Sequence, residues 1–138
     1  MSDKGIVYLD YAASNPVDPR VAAVIDEIML QPGNPSAIHA SGRQARQVVD
    51  AARRQVADLI GADLSQIIFT SGATESNNLA IRGVCSPVRE RFPDRRLRIL
   101  TSPLEHASVR AVLDGLAARQ GFLVDEMPVK RSGAVDAG

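Results

Sequence analysis

The residues best suited to bind a ligand lie in a glycine turn between a β-prone run and a helical run. The stretch reads "IIFTSGATESNNLAI" over residues 67–81, with Gly72 in the turn and Thr74 opening the helix. The first N–H groups of a helix lack intrahelical partners, and glycine allows close approach to the backbone. Hydroxyl groups of Thr74 with Ser71 or Ser76 can add hydrogen bonds to an anion. The turn therefore favours a phosphate site, with a capped helix that binds no ligand as the alternative.

Two common nucleotide-binding motifs are absent from this turn. A P-loop, G-x-x-x-x-G-K-[ST], needs a lysine that the stretch does not contain. The dinucleotide fingerprint G-x-G-x-x-G does not match either. The phosphate hypothesis therefore rests on the turn itself and not on a nucleotide motif.

His106 follows a second apolar run, "LRILTS" (97–102), in the stretch "TSPLEHASV". In an α/β sheet it would lie near the same rim as the glycine turn, where ligands collect outside the carboxyl ends of strands. A histidine there can stack on a flat aromatic ligand or move a proton near neutral pH. A helix-capping surface histidine is the alternative. Glu105 could orient the ring or serve only as a first-turn acid favoured by the helix dipole.

Alternating elements must position these residues. Asp18 and Pro19 predict a helix start, and the apolar spacing that follows predicts one buried helical face. A longer helix is predicted over residues 41–60, ended by Gly61. The remaining predictions are strands over 66–70, 97–102 and 122–129, a helix from about Thr74 to Val84, a polar connection over 86–96, and a helix within 103–121. This order predicts an α/β fold with a mostly parallel sheet.

Composition limits the class of protein. The chain has 138 residues, 45% of them hydrophobic, and a formal net charge of 0, which gives no field to attract nucleic acid. Its single cysteine, Cys85, reads as a packing residue and favours a reducing cytoplasm. We expect no membrane span or secretion signal, because no apolar stretch is long enough. One cysteine and two histidines predict no metal site.

Four stretches together resemble one family. They are "VYLDYAASNPVDPRV", "GNPSAIHASGRQARQVVDAARRQVADLIGA", "IIFTSGATESNNLAIRG" and "EHASV". In this order they closely resemble the N-terminal part of NifS-like cysteine desulfurases, which are pyridoxal-phosphate enzymes of the class V aminotransferase family. The resemblance implies part of a fold-type I aminotransferase large domain, three-layered, with a mostly parallel sheet and truncated. It implies an N-terminal arm and helix over residues 1–35 and the start of the cofactor-binding domain over 36–138.

The resemblance also assigns site residues. Ala73 and Thr74 match the positions that bind the phosphate of pyridoxal 5′-phosphate. His106 matches the histidine that stacks on the pyridine ring and assists proton transfer, so it is the catalytic candidate. Four further positions are implied to border the substrate entrance: Ala12, Ala13, Asn34 and His39.

The activity implied by the resemblance is removal of sulfur from L-cysteine. It gives alanine and an enzyme persulfide, which passes sulfur to an acceptor protein for iron–sulfur cluster or thiocofactor assembly, in a cytoplasmic homodimer. The family's Schiff-base lysine and persulfide-forming cysteine have no counterpart in Lys4, Lys130 or Cys85. The resemblance therefore implies an N-terminal fragment that is inactive alone, and leaves cofactor binding by this chain in doubt.

Three alternatives stay open at the level of sequence. The chain could be a naturally short, non-catalytic binding or partner protein. It could be one half of a split enzyme. It could also come from another class V aminotransferase, such as a selenocysteine lyase.

Overall fold

The computed structural model describes residues 7–136, which divide into two compact units, one up to Ile68 and one from Phe69. Lys4 and the rest of the first six residues lie outside the described part, as do the last two. The division into an arm over 1–35 and a domain from 36 onward stays a prediction, and the two units are described separately.

Two helices form most of the first unit, α1 (Pro19–Met29) and α2 (Ala40–Ile60). The Asp18 carboxylate accepts the Arg20 N–H at 2.8 Å, so Asp18 caps α1 as predicted. Gly61 adopts the left-handed conformation, with φ 66°, and ends α2. Both predicted helices are confirmed. They could be predicted because the residues that cap them lie next to the helix ends.

The predicted buried face of α1 is wrong for the described residues. Val24 is 53% exposed and Ile25 46% exposed, and α1 contains no buried residue. The three- and four-residue spacing identifies an apolar stripe, but it does not specify what would cover that stripe.

The predicted strand over residues 66–70 is also not formed in the described part. A short 3-10 turn, Leu64–Gln66, is followed by Ile67 with extended backbone, and residues 67–70 have no strand assignment. β-Branched and aromatic residues favour extended backbone, but a strand also requires a neighbouring strand to bond with. Sequence alone therefore overestimated the pairing of this segment.

The second unit contains α3 (Ala73–Arg91), β1 (Arg98–Thr101), α4 (Ala107–Gln120) and β2 (Leu123–Glu126). The two strands are parallel, with Arg98 opposite Leu123 and Thr101 opposite Glu126. The β1–α4–β2 order is the strand–helix–strand unit that parallel pairing requires. This confirms the α/β class and the parallel pairing.

The helix α3 runs further than predicted, through Pro87 to Arg91. Proline removes one helical hydrogen bond, and here other contacts stabilise the last turn. The Arg89 guanidinium donates to the carbonyl oxygens of Arg95 at 2.9 Å and Gly121 at 3.0 Å. The predicted polar connection over 86–96 is therefore helical up to Arg91.

The core of the second unit lies between α4 and its neighbours. Leu113, Leu116 and Phe122 are buried together. Partly buried side chains from α3, α4, both strands and the residue before β1 pack against them: Ile81, Cys85, Leu97, Ile99, Val109 and Val124. This packing fixes α3 against α4 and thereby sets the positions of their N-terminal ends.

Candidate active site

The N-terminus of α3 has no side-chain cap. Gly72 occupies the N-cap position and supplies no acceptor, and the first intrahelical bond runs from the Ser76 N–H to the Gly72 oxygen at 3.1 Å. The N–H groups of Ala73, Thr74 and Glu75 precede that bond and point out of the helix end. A Cβ placed on Gly72 would meet no atom within 4 Å, so the space beside Gly72 is open.

Two side-chain pairs fix the turn in front of α3. The Ser71 N–H and hydroxyl both donate to Glu75 Oε2, at 2.7 and 2.6 Å. The Thr70 hydroxyl donates to the Gly72 oxygen at 3.1 Å, and its oxygen lies 2.6 Å from the Ser76 hydroxyl. Ser71 and Ser76 therefore hold the turn, in contrast to their expected role as anion donors. Of the three hydroxyl groups predicted to bind an anion, that of Thr74 is the one that these turn contacts do not use.

We expect Ser71→Ala to change the titration of Glu75. The hydrogen bonds from the Ser71 hydroxyl and backbone N–H hold the pKa of the Glu75 carboxyl below its ordinary value of 4.5. Since the folded-state pKa is lowered, the stabilisation is present above the ordinary value and is lost as pH falls through the folded-state pKa. Carboxyl NMR titration should show the midpoint move upward in Ser71→Ala. An unchanged midpoint would contradict the assignment of this contact.

His106 is the N-cap residue of α4. Its Nδ1 accepts the Ser108 N–H at 3.1 Å and lies 2.8 Å from the Ser108 hydroxyl. A backbone N–H can only donate, so Nδ1 carries no proton and the neutral ring keeps its proton on Nε2. The imidazole is exposed, and its orientation is set by Ser108. Of the two roles that the sequence left open for Glu105, neither is formed, since Glu105 precedes the N-cap residue of α4 and lies outside its first turn.

Sequence reasoning missed a contact between the two helix ends. Asn77, in the second turn of α3, donates from Nδ2 to the Ser108 hydroxyl oxygen at 2.9 Å. This bond places the start of α4 beside the start of α3, so Ala73, Thr74 and His106 lie at the same end of the helix pair. The contact of Ser108 with His106 spans two residues and could have been expected from the sequence. The bond from Asn77 to Ser108 joins residues 31 apart and could not.

The loop candidates of the first unit make local bonds. Asn34 Oδ1 accepts the Ser36 N–H at 2.9 Å, and His39 Nδ1 accepts the Gly42 N–H at 3.3 Å and caps α2. Two arginines of α2 bind the same loop, Arg43 to the Ile38 oxygen at 2.6 Å and Arg46 to the Pro35 oxygen at 2.9 Å. The loop is thus fastened to α2.

The first loop candidates, Ala12 and Ala13, lie in a turn of their own. The N–H groups of Ala13 and Ser14 donate to the Asp10 oxygen at 3.1 and 3.2 Å. Within the first unit, these residues and the loop of Asn34 and His39 are fixed separately. The role of all four at a substrate entrance stays a prediction.

Cys85 is half-buried against the core of the second unit. Burial raises the pKa of its thiol, which disfavours the thiolate that a nucleophile needs. The interpretation of Cys85 as a packing residue is consistent with this environment. Among residues 7–136, no group of three His, Cys, Asp or Glu side chains could hold a metal ion. No helix in the same range combines the length and apolar character needed to cross a membrane.

Comparison with known proteins identifies the family. Residues 7–138 match the aminotransferase class-V family. The chain belongs to this family. It is 46% identical over 136 residues to "Cysteine desulfurase IscS" of Escherichia coli O139:H28 (strain E24377A / ETEC), covering 94% of this chain and 32% of that protein. The chain thus spans about a third of the length of the curated relatives it matches.

Solved structures give the same result. A "NifS-like protein" superposes with a TM-score of 0.80 at 37% identity, over 94% of this chain and 35% of that one. A cysteine desulfurase from Thermococcus onnurineus NA1 gives a TM-score of 0.78 at 28% identity, over 95% and 32%. The expected resemblance to the N-terminal part of cysteine desulfurases is confirmed, as is a partial fold-type I domain. The alternative functions are not favoured by these matches.

Class-V aminotransferases and IscS-type desulfurases depend on pyridoxal phosphate, and the residues present fit its phosphate. The uncapped N–H groups of α3, the open space over Gly72 and the Thr74 hydroxyl together make an anion cradle. The neutral imidazole of His106 at the same end presents a flat ring that can lie on an aromatic ligand.

Proposed function

We propose that this chain supplies the phosphate cradle and the ring-contacting histidine of a pyridoxal-phosphate-dependent cysteine desulfurase. The observation that carries the proposal is the uncapped start of α3 beside the fixed imidazole of His106. Identity to IscS over 94% of the chain supports the choice of L-cysteine as the substrate of the whole protein. The products are alanine and an enzyme persulfide for iron–sulfur cluster or thiocofactor assembly.

Each residue has a stated task in this proposal. The N–H groups of Ala73 and Thr74, with the Thr74 hydroxyl, bind the phosphate oxygens of the cofactor. His106 lies against the pyridine ring and holds a proton at Nε2, with which it donates a hydrogen bond to a neighbouring acceptor. Pyridoxal phosphate, when bound, supplies the electron sink that labilises bonds to the substrate's α-carbon.

The proposal also covers residues of the first unit, the location of the protein and its partners. The loops of Ala12, Ala13, Asn34 and His39 border the substrate entrance. The protein works in the cytoplasm as a homodimer and transfers sulfur to an acceptor protein.

Thr74→Val is expected to weaken pyridoxal phosphate binding by roughly 10- to 100-fold. The substitution keeps the shape and removes one hydrogen bond to a charged group, which contributes about 1.5–3 kcal/mol. Equilibrium titration of both proteins measures the change. Pyridoxal, which lacks the phosphate, is the matched control ligand and should bind both proteins equally. Equal pyridoxal phosphate affinities would contradict the assignment of Thr74.

The reaction itself is tested on the protein at the length at which its native source makes it. We expect L-cysteine, with pyridoxal phosphate present, to yield L-alanine and sulfur in equal amounts. L-Serine, which differs only by oxygen in place of sulfur, is the matched control and should yield no alanine. Purified holoprotein that leaves L-cysteine unchanged would contradict the desulfurase assignment.

A further inference from the structure

A hydrogen-bonded chain of three side chains joins α3 to His106. Asn77 Nδ2 donates to the Ser108 hydroxyl oxygen at 2.9 Å, and the Ser108 hydroxyl lies 2.8 Å from His106 Nδ1. The Ser108 N–H also donates to Nδ1, at 3.1 Å. Ser108 is buried, with 8% of its surface exposed, and Asn77 is half-buried, whereas His106 is exposed. The hydrogen bonds therefore connect the interface between α3 and α4 to the exposed imidazole at the candidate site.

Which group donates in each of these hydrogen bonds follows from the Ser108 N–H and the Asn77 NH₂ group, which can only donate. Nδ1 already accepts the Ser108 N–H, so it has no proton to give to the Ser108 hydroxyl. The hydroxyl must then donate to Nδ1, and its oxygen is left to accept from Asn77. An amide is the side chain that fits this place, because its NH₂ group can only donate. Nδ1 thus accepts from two groups of Ser108, the N–H and the hydroxyl, and Asn77 keeps the hydroxyl directed at it.

We infer that Asn77 and Ser108 are positioning residues that hold His106 as the Nε2–H tautomer with its ring fixed beside the phosphate cradle. The inference rests on the proposed function of His106. Asn77 lies four residues after Ala73, about one helical turn from the N–H groups that face the phosphate. One side chain therefore links the helix that binds the phosphate to the residue that contacts the ring. Metal-ligand and triad histidines are oriented by the same device, a partner on the ring nitrogen that is not used.

The test uses a single substitution to reverse the direction of the hydrogen bonds between Asn77, Ser108 and His106. Asn77→Asp replaces the donor with a carboxylate, which accepts the Ser108 hydroxyl proton and leaves the Ser108 oxygen to accept from the imidazole, so that Nδ1 can take a proton if it gives up its bond to the Ser108 N–H. Asn78→Asp is the matched control: it adds the same charge one residue away, where the native side chain donates to the Thr74 oxygen at 3.0 Å and does not reach Ser108. Nitrogen-15 NMR of the His106 ring, on the full chain without cofactor, reads which nitrogen carries the proton.

We expect Nδ1 to resonate as an unprotonated nitrogen in the native protein and in Asn78→Asp. In Asn77→Asp its resonance should shift toward the protonated position. Ser108→Ala leaves the backbone N–H as the one donor on Nδ1, and the ring should exchange between this bonded form and a form that has given up the bond and is protonated on Nδ1. Retained amide dispersion in each variant excludes unfolding as the cause. If Asn77→Asp and Asn78→Asp give the same Nδ1 shift, the inference is wrong.

Addition of pyridoxal phosphate to the same samples separates this inference from the proposed function. His106 ring signals that move on addition, in a native protein with an unprotonated Nδ1, support both. A ring held in the expected tautomer whose signals do not move contradicts the proposed function. A ring that responds to the cofactor while its tautomer is insensitive to Asn77→Asp contradicts the positioning role alone.

Discussion

Gly72→Asp is expected to weaken the binding of pyridoxal phosphate by at least about 100-fold while it raises the thermal stability of the second unit. The carboxylate would cap the free N–H groups of α3, which contributes a few tenths of a kcal/mol relative to glycine, or roughly 1–3 °C in Tm. The same carboxylate would stand where the phosphate binds, and two like charges about 4 Å apart near a surface repel by roughly 4 kcal/mol. Titration with the cofactor and thermal unfolding measure the two effects.

Gly72→Asn is the matched control for this substitution. The backbone at Gly72 is extended, and a Cβ there meets no atom within 4 Å, so both side chains fit. Asparagine caps helices about as well as aspartate but carries no charge. We expect the same gain in Tm with a smaller loss of affinity. Equal cofactor affinity in Gly72→Asp and the native protein would place the phosphate elsewhere.

Leu116→Ala is expected to lower the free energy of unfolding of the second unit by about 2–5 kcal/mol. Leu116 is 1% exposed and packs with Leu113 and Phe122, so truncation removes buried methyl groups and leaves a cavity. Chemical denaturation measures the loss. Leu104→Ala is the control, because Leu104 is 64% exposed in the same unit and its truncation should cost about 0.5 kcal/mol or less. Similar losses in both variants would contradict the assigned core.

Helix ends could be predicted from sequence because their signals are local. The Asp18–Pro19 pair begins α1, and Gly61 and Gly121 end α2 and α4 with φ 66° each. In each case the residue that makes the cap lies within a few residues of the groups it satisfies. The alternation of strands and helices likewise gave the α/β class and the parallel sheet.

Features that depend on distant parts of the chain could not be predicted in this way. The apolar face of α1 gave no information on its cover, and residues 66–70 gave none on a pairing strand. The helix was predicted to end near Val84, but α3 continues to Arg91, and Arg89 stabilises its last turn through the Gly121 oxygen, 32 residues away. In each case the deciding contact is tertiary.

The candidate site divides along the same line. Gly72, Thr74 and His106 were identifiable from residue type and from their place at the ends of apolar runs. The partner of His106 was not, since the sequence offered Glu105 and the structure places Ser108 on Nδ1. Asn77 lies 31 residues from Ser108 in the chain, so the bond that unites the two helix ends could be found only in the folded structure.

The measurement that tests the central claim most directly is a nitrogen-15 amide spectrum of the chain titrated with pyridoxal phosphate. The account predicts that the largest shifts fall on the N–H groups of Ala73 and Thr74, with smaller ones on the ring of His106. Pyridoxal without phosphate should leave the two amides unmoved. Shifts of equal size with both ligands, or shifts confined to other parts of the chain, would contradict the claim that the start of α3 is the cofactor's phosphate site.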